Sequence, residues 1–229
     1  SDQGSYDTKI IINSGTDEII LDNQRHGSSS YYFENLRFDD GFETDQLEDY
    51  ANWTWGTASG ETLTGTANDN VLIGDDGADT IYGGDGADDI HGGYGNDILY
   101  GENGDDFLMG GLGDDTLAGG YGTDILMGGA GADTFVFEAA QVGLGSDAVK
   151  DFSVADGDII DLSDVLASYD PMSDLLSDYL QITDDGTDSF VSVDVNGTGS
   201  SYTQIAVLQN VVDLTDESAL VTSGNLLVA

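Results

Sequence analysis

An all-β fold is predicted, its centre a coiled stack of short strands, because three features recur in phase over residues 56–136. A nine-residue period runs through nine units without an insertion. Every unit opens on glycine. Every unit carries Leu, Ile or Phe at its eighth place: Leu63, Leu72, Ile81, Ile90, Leu99, Leu108, Leu117, Leu126 and Phe135. A strand of three residues such as Ile98-Leu99-Tyr100 has no stability alone, so the units must stack on one another as a solenoid. Alternation along each strand turns the eighth residue to one face and its neighbours to the other.

The flanks lack the period. Residues 9–13 and 18–21 read as short strands separated by the turn pair Ser14-Gly15, and 31–38 as a third, followed by Asp39-Asp40-Gly41. Trp53 and Trp55, two apart, share one strand face. They are expected to cover the first open turn of the stack, since solenoid ends need covers; stacking on a sugar is the weaker reading. Beyond the repeats, 148–152 and 158–162 read as strands. Residues 173–180 (SDLLSDYL) read as a short helix with Leu175, Leu176, Tyr179 and Leu180 on one face. Residues 189–195 and 204–212 read as strands, and 225–229 is an apolar end. The expected organisation is an N-terminal β segment at 1–55, the solenoid at 56–136, and a β-rich C-terminal domain at 137–229.

Charge sets the main physical problem. The 229 residues hold 45 acidic and 4 basic side chains, a formal net charge of −41, against 39% apolar residues. That apolar share supports a core, but self-repulsion opposes compaction. Lys9, Arg25, Arg37 and Lys150 are too few to offset it. The repeat block alone has 16 acidic residues and no basic one. An external cation is therefore required.

The repeat supplies the place for it. The sixth residue is Asp in the last seven units: Asp79, Asp88, Asp97, Asp106, Asp115, Asp124 and Asp133. The first two units have Glu61 and Asn70 there. In the unit GGYGNDILY at 92–100, Gly92, Gly93 and Gly95 permit a tight six-residue turn with inward carbonyls, and Asp97 closes it with a carboxylate. Carbonyls plus carboxylates make a hard-oxygen shell. That suits Ca²⁺, which takes about 6–8 oxygens in loose geometry, better than Mg²⁺, which demands a tight octahedron. A merely solvated acidic face would not repeat in phase with Gly and Leu.

These residues resemble the RTX proteins, secreted by the Gram-negative type I pathway. The resemblance implies a right-handed parallel β-roll, two units per turn, with eighth-place side chains filling the interior. It implies Ca²⁺ between units n and n+2, held by both sixth-place carboxylates and by backbone carbonyls. Carried over, the pairs are Asp79/Asp97, Asp88/Asp106, Asp97/Asp115, Asp106/Asp124 and Asp115/Asp133, with Glu61/Asp79 and Asn70/Asp88 as two weaker sites. The glycines at the second and fourth places join the ligand set: Gly84, Gly86, Gly93, Gly95, Gly104, Gly111, Gly113, Gly120 and Gly122. Ser59, Glu61, Asn68 and Asn70 depart from the pattern. Five to seven such ions would offset most of the block's charge, and the roll is expected to be largely unfolded without them.

The C-terminal segment resembles the type I secretion target domain that follows RTX arrays, in GADTFVF at 131–137, VKDF at 149–152 and DGDIIDLSDVL at 156–166. LSDYLQIT at 176–183, VSVDVNGTG at 191–199, QIAVLQNVVDLT at 204–215 and NLLVA at 225–229 are similar to the version on large RTX adhesins. Residues 31–41 resemble a segment that often precedes the repeats. The resemblance implies an uncleaved C-terminal export signal, the type I secretion machinery as partner, and a monomer that is secreted or retained at the bacterial surface. Low cytosolic calcium would keep the chain unfolded, millimolar external calcium would fold it, and folding outside would oppose backsliding. The alternatives are the same module on a secreted hydrolase or toxin with its catalytic domain upstream, or a glycan-binding module bridged by calcium. Host-cell, glycan or surface ligands would engage upstream domains.

Other classes are disfavoured. With no cysteine there is no disulfide framework, thiolate zinc site or cysteine nucleophile. The charge repels nucleic acid and anionic lipid, and no apolar run approaches the roughly 18 residues of a membrane span. No basic-plus-apolar leader opens the chain, which reads as a piece of something longer. No HExxH, GxSxG or phosphate-binding loop is present, so the chain is expected not to be an enzyme. His91 reads as a surface strand residue and His26 as a loop residue. Thr57 and Thr66 stop after two units, too few for an ice-binding ladder. Asp156, Asp158 and Asp161, and Asp194 with Asn196, are candidate further Ca²⁺ ligands, with turn chemistry the stronger reading.

Overall fold

The structure, a computed structural model, describes residues 8–11, 18–23, 33–37 and 52–228 apart from 213 and 215, with side chains from residue 52 onward. Ser1–Trp55 and Gly56–Ala229 form two compact units. In the first, β1 (Thr8–Ile11), β2 (Glu18–Asn23) and β3 (Phe33–Arg37) make an antiparallel sheet in that order. Strand β4 (Trp53–Trp55) presents both indole rings, 6.4 Å apart. Ser14, Gly15, His26 and residues 39–41 lie outside the described residues.

In the second unit, alternate repeats go to opposite sheets. One sheet receives β5 (Thr62–Thr64), β7 (Thr80–Asp85), β9 (Ile98–Asn103), β11 (Thr116–Tyr121) and β13 (Thr134–Val136). The other receives β6 (Val71–Asp76), β8 (Asp89–Tyr94), β10 (Phe107–Leu112) and β12 (Ile125–Ala130). Neighbours within each sheet are parallel and two units apart, as in Leu72↔Ile90 and Leu99↔Leu117. The repeats thus form a parallel β-solenoid. A slip of one residue would turn every apolar eighth residue outward, so the hydrophobic pattern holds the register.

The strands are longer than expected, six residues in most units rather than three. Pairing resumes past the bend, at Gly111↔Gly129 and Leu112↔Ala130, with Gly110 outside the register. Positive φ at the second place, 117° at Gly111 for example, lets the chain turn the corner and keep its partner. Only the fourth to sixth residues remain as the turn.

The interior is a single row of eighth-place side chains from the two sheets. Leu72 through Phe135 are fully buried at every repeat, and Leu63 nearly so. The C-terminal residues extend the same core and both sheets. Strand β14 (Asp147–Val149) pairs parallel with β12, and β15 (Ile159–Asp161) with β13. On the first of these columns follow β18 (Thr203–Leu208) in parallel, then β17 (Ser189–Val193) and β16 (Leu180–Asp184) in antiparallel order. On the other, β19 (Leu226–Leu227) pairs with β15.

Two elements differ from expectation. The segment 173–180 is not an α-helix: it holds one 3-10 turn at Leu176–Asp178, Leu175 is 67% exposed, and Leu180 leaves to open β16. Pairing of Leu180 with Val193 wins over a helix too short to sustain itself. A helix forms instead at α1 (Glu217–Ser223). Asp216 caps it by accepting the Ala219 amide at 2.9 Å, and Gly224 closes it at φ 87°. Only Leu220 is buried there, so no apolar periodicity announced it.

Leu108→Ala should destabilise the folded unit by about 2–5 kcal/mol, because a fully buried row residue leaves a cavity between two sheets. Urea unfolding in saturating calcium measures it. A loss under about 0.5 kcal/mol, the range of ordinary surface substitutions, would show that the row is not the core.

Candidate metal centre

The sixth-place carboxylates form two columns along the solenoid, one at each edge. Each Oδ1 accepts the backbone N–H of the sixth residue two units earlier. Asp97 accepts from Asp79, Asp106 from Asp88, Asp115 from Asp97 and Asp124 from Asp106, each at 2.8 Å, and Asp133 accepts from Asp115 at 2.9 Å. Asp79 and Asp88 reach the amides of Glu61 and Asn70 at 2.7 Å. These bonds fix each carboxylate's orientation.

The other oxygen is left over. Oδ2 of Asp79, Asp88, Asp97, Asp106, Asp115, Asp124 and Asp133 is buried with no hydrogen-bond partner. Seven orphaned carboxylate oxygens in one unit are far outside what a folded protein tolerates without compensation. The described part of the protein does not supply it. Among the described side chains Lys150 is the one Lys or Arg, and its Nζ donates to Gln209 Oε1.

The orphans of Asp79, Asp88, Asp97, Asp106 and Asp115 each face a carbonyl across a gap that glycine keeps open. A Cβ on Gly92 would lie 2.6 Å from Gly110 O and closer still to Asp97 Oδ2; Gly83 and Gly110 repeat the arrangement with Asp88 and Asp115. The first-place glycine is thus obligatory for room. The fourth-place carbonyls of Gly86, Gly95, Gly104, Gly113 and Gly122 accept no hydrogen bond in the described residues. Gly84, Gly93, Gly111 and Gly120 hold positive φ at the second place. Among the described residues no three acidic or histidine side chains converge on one point. A shell must therefore mix carboxylate with carbonyl, a donor set for a hard divalent cation such as Ca²⁺. The residues present fit that ion. Bound, it would supply positive charge to the orphaned oxygens.

The first two units differ. Asn70 is buried, but its Oδ1 accepts Thr66 N–H at 2.5 Å, and Glu61 accepts from the Thr57 amide and hydroxyl. A local threonine at the second place absorbs each side chain, and neither residue is among the orphans.

The ladder also runs past the repeats. Asp147 Oδ1 accepts from Asp124 N–H, and Asp158 Oδ1 from Asp133 N–H, both at 3.0 Å. Asp147 was not singled out from the sequence. The signal was there in Asp147-Ala148-Val149 and Asp158-Ile159-Ile160, an Asp two residues before a buried apolar. It was hidden because the spacings are 23 and 25 residues, not 18. Asp158 also accepts Ser153 N–H through Oδ2, so of the trio with Asp156 and Asp161 it alone joins the ladder. Asp194 is a turn residue: Thr198 Oγ1 and the amides of Ser200, Asn196 and Ser201 hold its carboxyl down at about 2. His91 lies on a strand with Nε2 2.8 Å from Asp89 Oδ1.

Desolvation pushes the ladder carboxyls up despite the amide bonds, to about 7 at Asp106, Asp115 and Asp147 and about 6 at Asp124 and Asp133. The metal-free fold therefore binds more protons than the unfolded chain.

Fold and ladder together define a calcium-binding β-solenoid module. Residues 55–90, 82–117 and 100–135 match the family model of the RTX calcium-binding nonapeptide repeat, and these units are RTX repeats. Similar solved structures include the AlgE6R3 subunit of the Azotobacter vinelandii mannuronan C5-epimerase, at 26% identity over 76% of this chain and 81% of that one, TM-score 0.33. The AlgE6R2 subunit of the same enzyme is similar at 24% identity over 77% and 92%, TM-score 0.33. The extracellular lipase LipA from Serratia marcescens is similar at 17% identity over 77% and 40%, TM-score 0.32. No curated protein matches the chain. Among the described residues no helix is long and apolar enough to cross a membrane.

Two outcomes are expected. In EDTA, stability should be greatest near pH 4 and fall from there as pH rises through about 7, because an unfolded Asp loses its proton near 4 while the raised carboxyls of the fold still hold theirs. Thermal melts by circular dichroism test this; a metal-free fold more stable at pH 8 than at pH 5 would contradict it. Gly110→Ala should raise the calcium midpoint by about tenfold or more, since its methyl fills the gap between Asp115 Oδ2 and Gly128 O. An unchanged midpoint in a calcium titration would remove that gap from the site.

Proposed function

We propose that the chain is the calcium-dependent folding and type I export module of a secreted or cell-surface RTX protein, an adhesin, and that it has no catalytic activity of its own. The observation that carries the reading is the two columns of buried Asp Oδ2 atoms that no protein donor reaches. At cytosolic calcium these carboxylates repel and the repeats stay open; outside the cell, ions fill the column and binding energy becomes folding energy. The C-terminal strands give the last turns a partner on both sheets, which supports a closing role for the segment resembling a secretion target domain. The type I machinery is the partner, and host-cell, glycan or surface ligands would be met by other parts of the protein. The module acts as a monomer and engages neither nucleic acid nor membrane.

Far-UV circular dichroism during a Ca²⁺ titration from EDTA at neutral pH, with Mg²⁺ as control, tests the core of this reading. A cooperative coil-to-β change with Ca²⁺ alone is expected. A fully β spectrum in EDTA, unchanged by calcium, would sink the folding switch. Secretion assays at low external calcium separate the export role: normal export with Asp97, Asp106 and Asp115 all replaced by Asn would remove it.

A further inference from the structure

Outside the carboxylate columns, the outer face of one sheet holds a cavity of about 260 Å³. Its origin is a gap in a ladder of rings. The ninth places along this sheet are Tyr82, Tyr100 and then Ala118, paired in register. Tyr82 and Tyr100 stack at 5.0 Å with planes 8° apart. That spacing is the distance between strands, so the rings lie face-on along the sheet. The next rung is a methyl. The second face of the Tyr100 ring therefore looks over Ala118 into the cavity, with Tyr121 on the far rim.

The polar lining combines the carboxylates of Glu102 and Glu138 with the carboxamides of Asn103 and Gln141 and the phenols of Tyr100 and Tyr121. Asn103 spends an amide N–H on Asp85 Oδ1 at 2.9 Å, and Gln141 directs its Nε2 at Glu138 Oε2 at 3.5 Å. Each side-chain amide thus has one N–H engaged within the protein and one to spare. The carboxylate of Glu102 has no hydrogen bond or ion pair among the described residues. Its register neighbours are Gly84 and Gly120, which leave it open space on both sides. Glu102 stands at a second place at φ 73°, where five other units have glycine at positive φ. A side chain there is strained, and Asp75, at φ 78°, is the other second-place residue that carries one at positive φ.

We propose that this cavity is a binding site for an organic cation bearing N–H donors, a guanidinium or primary ammonium group. The cation lies against the free face of Tyr100, as cations do on aromatic rings, and donates to Glu102 and Glu138. A neutral sugar would find the spare carboxamide and phenol donors but brings no positive charge to the unpartnered Glu102 carboxylate, and glucose is the probe that separates the two. An anion meets two carboxylates and no basic residue. Free amines and the basic side chain of a peptide share this chemistry.

The test is NMR and calorimetric titration of the full 229-residue chain in saturating calcium, at about 0.15 M ionic strength, where the Debye length is about 8 Å and the diffuse attraction of the net charge is screened. The probes are L-argininamide, the peptide N-acetyl-Gly-Arg-Gly-amide, and glucose. One saturable site is expected for argininamide or the peptide, with the largest shifts at Ala118, Gly120 and Tyr121, and none for glucose; the tighter of the two identifies the source. Glu102→Gln should weaken binding tenfold or more, while Asp156→Asn, the same charge change on an exposed residue away from the cavity, should leave it unchanged. Glu102→Gly should lose binding without losing calcium-dependent folding, read by circular dichroism, since it restores the glycine of the other units. Equal weakening by Glu102→Gln and Asp156→Asn, non-saturable binding of both cations, or equal binding of glucose would overturn the proposal.

Discussion

The structure depends on how stacked carboxylates are held close to one another inside a protein with almost no basic residues. Each sixth-place Asp gives one oxygen to a backbone amide two units away. That bond locks the turn and brings the next carboxylate into line. It leaves the second oxygen buried, and burying a carboxylate oxygen without a partner costs several kcal/mol. Repetition multiplies the cost along both columns. A hard divalent cation between units removes it, and neutral pH makes that cation more necessary because protons no longer do the same work. The RTX repeat is in this sense a fold whose stability is carried by its ligand.

Glycine and leucine make the ladder geometrically possible. First-place glycines leave the space between Oδ2 and the neighbouring carbonyl, and second-place glycines take the positive φ that lets a strand bend and keep its partner. Eighth-place side chains fill the interior in one row, so the two sheets are close and the carboxylates of each column sit at a constant strand spacing. A solenoid built this way has no reason to stop. Here it is continued by non-repetitive residues that reuse its rules at different spacings, Asp147 and Asp158 extending the ladder while Val149 and Ile160 extend the row. Antiparallel β17 and β16 then end one sheet, and β19 ends the other.

Where the outer face is concerned, the same repetition creates exceptions that stand out. A ladder of rings runs from Tyr82 to Tyr100 and breaks at Ala118, and a glutamate replaces glycine beside the break. The nine-residue pattern requires neither departure, and Asp75 is a second place where a carboxylate stands at positive φ.

What the sequence by itself determined was the solenoid and its metal chemistry. A strict nine-residue period puts Gly, Asp and an apolar residue in one phase, and stacking alternate units buries the row while lining up the carboxylates. Only the tertiary structure decided the rest. Asp147 and Asp158 could be joined to the ladder only once insertions had been looped out, because spacing along the chain no longer matched spacing in space. Residues 173–180 favoured a helix locally and became a turn and a strand, because β17 offered Leu180 a partner that no local pattern records. Helix α1 formed on a cap and a closing glycine with a single buried contact. The cavity over Ala118 came from register, which brings residues of two repeats and a later turn together and is invisible until the strands are paired.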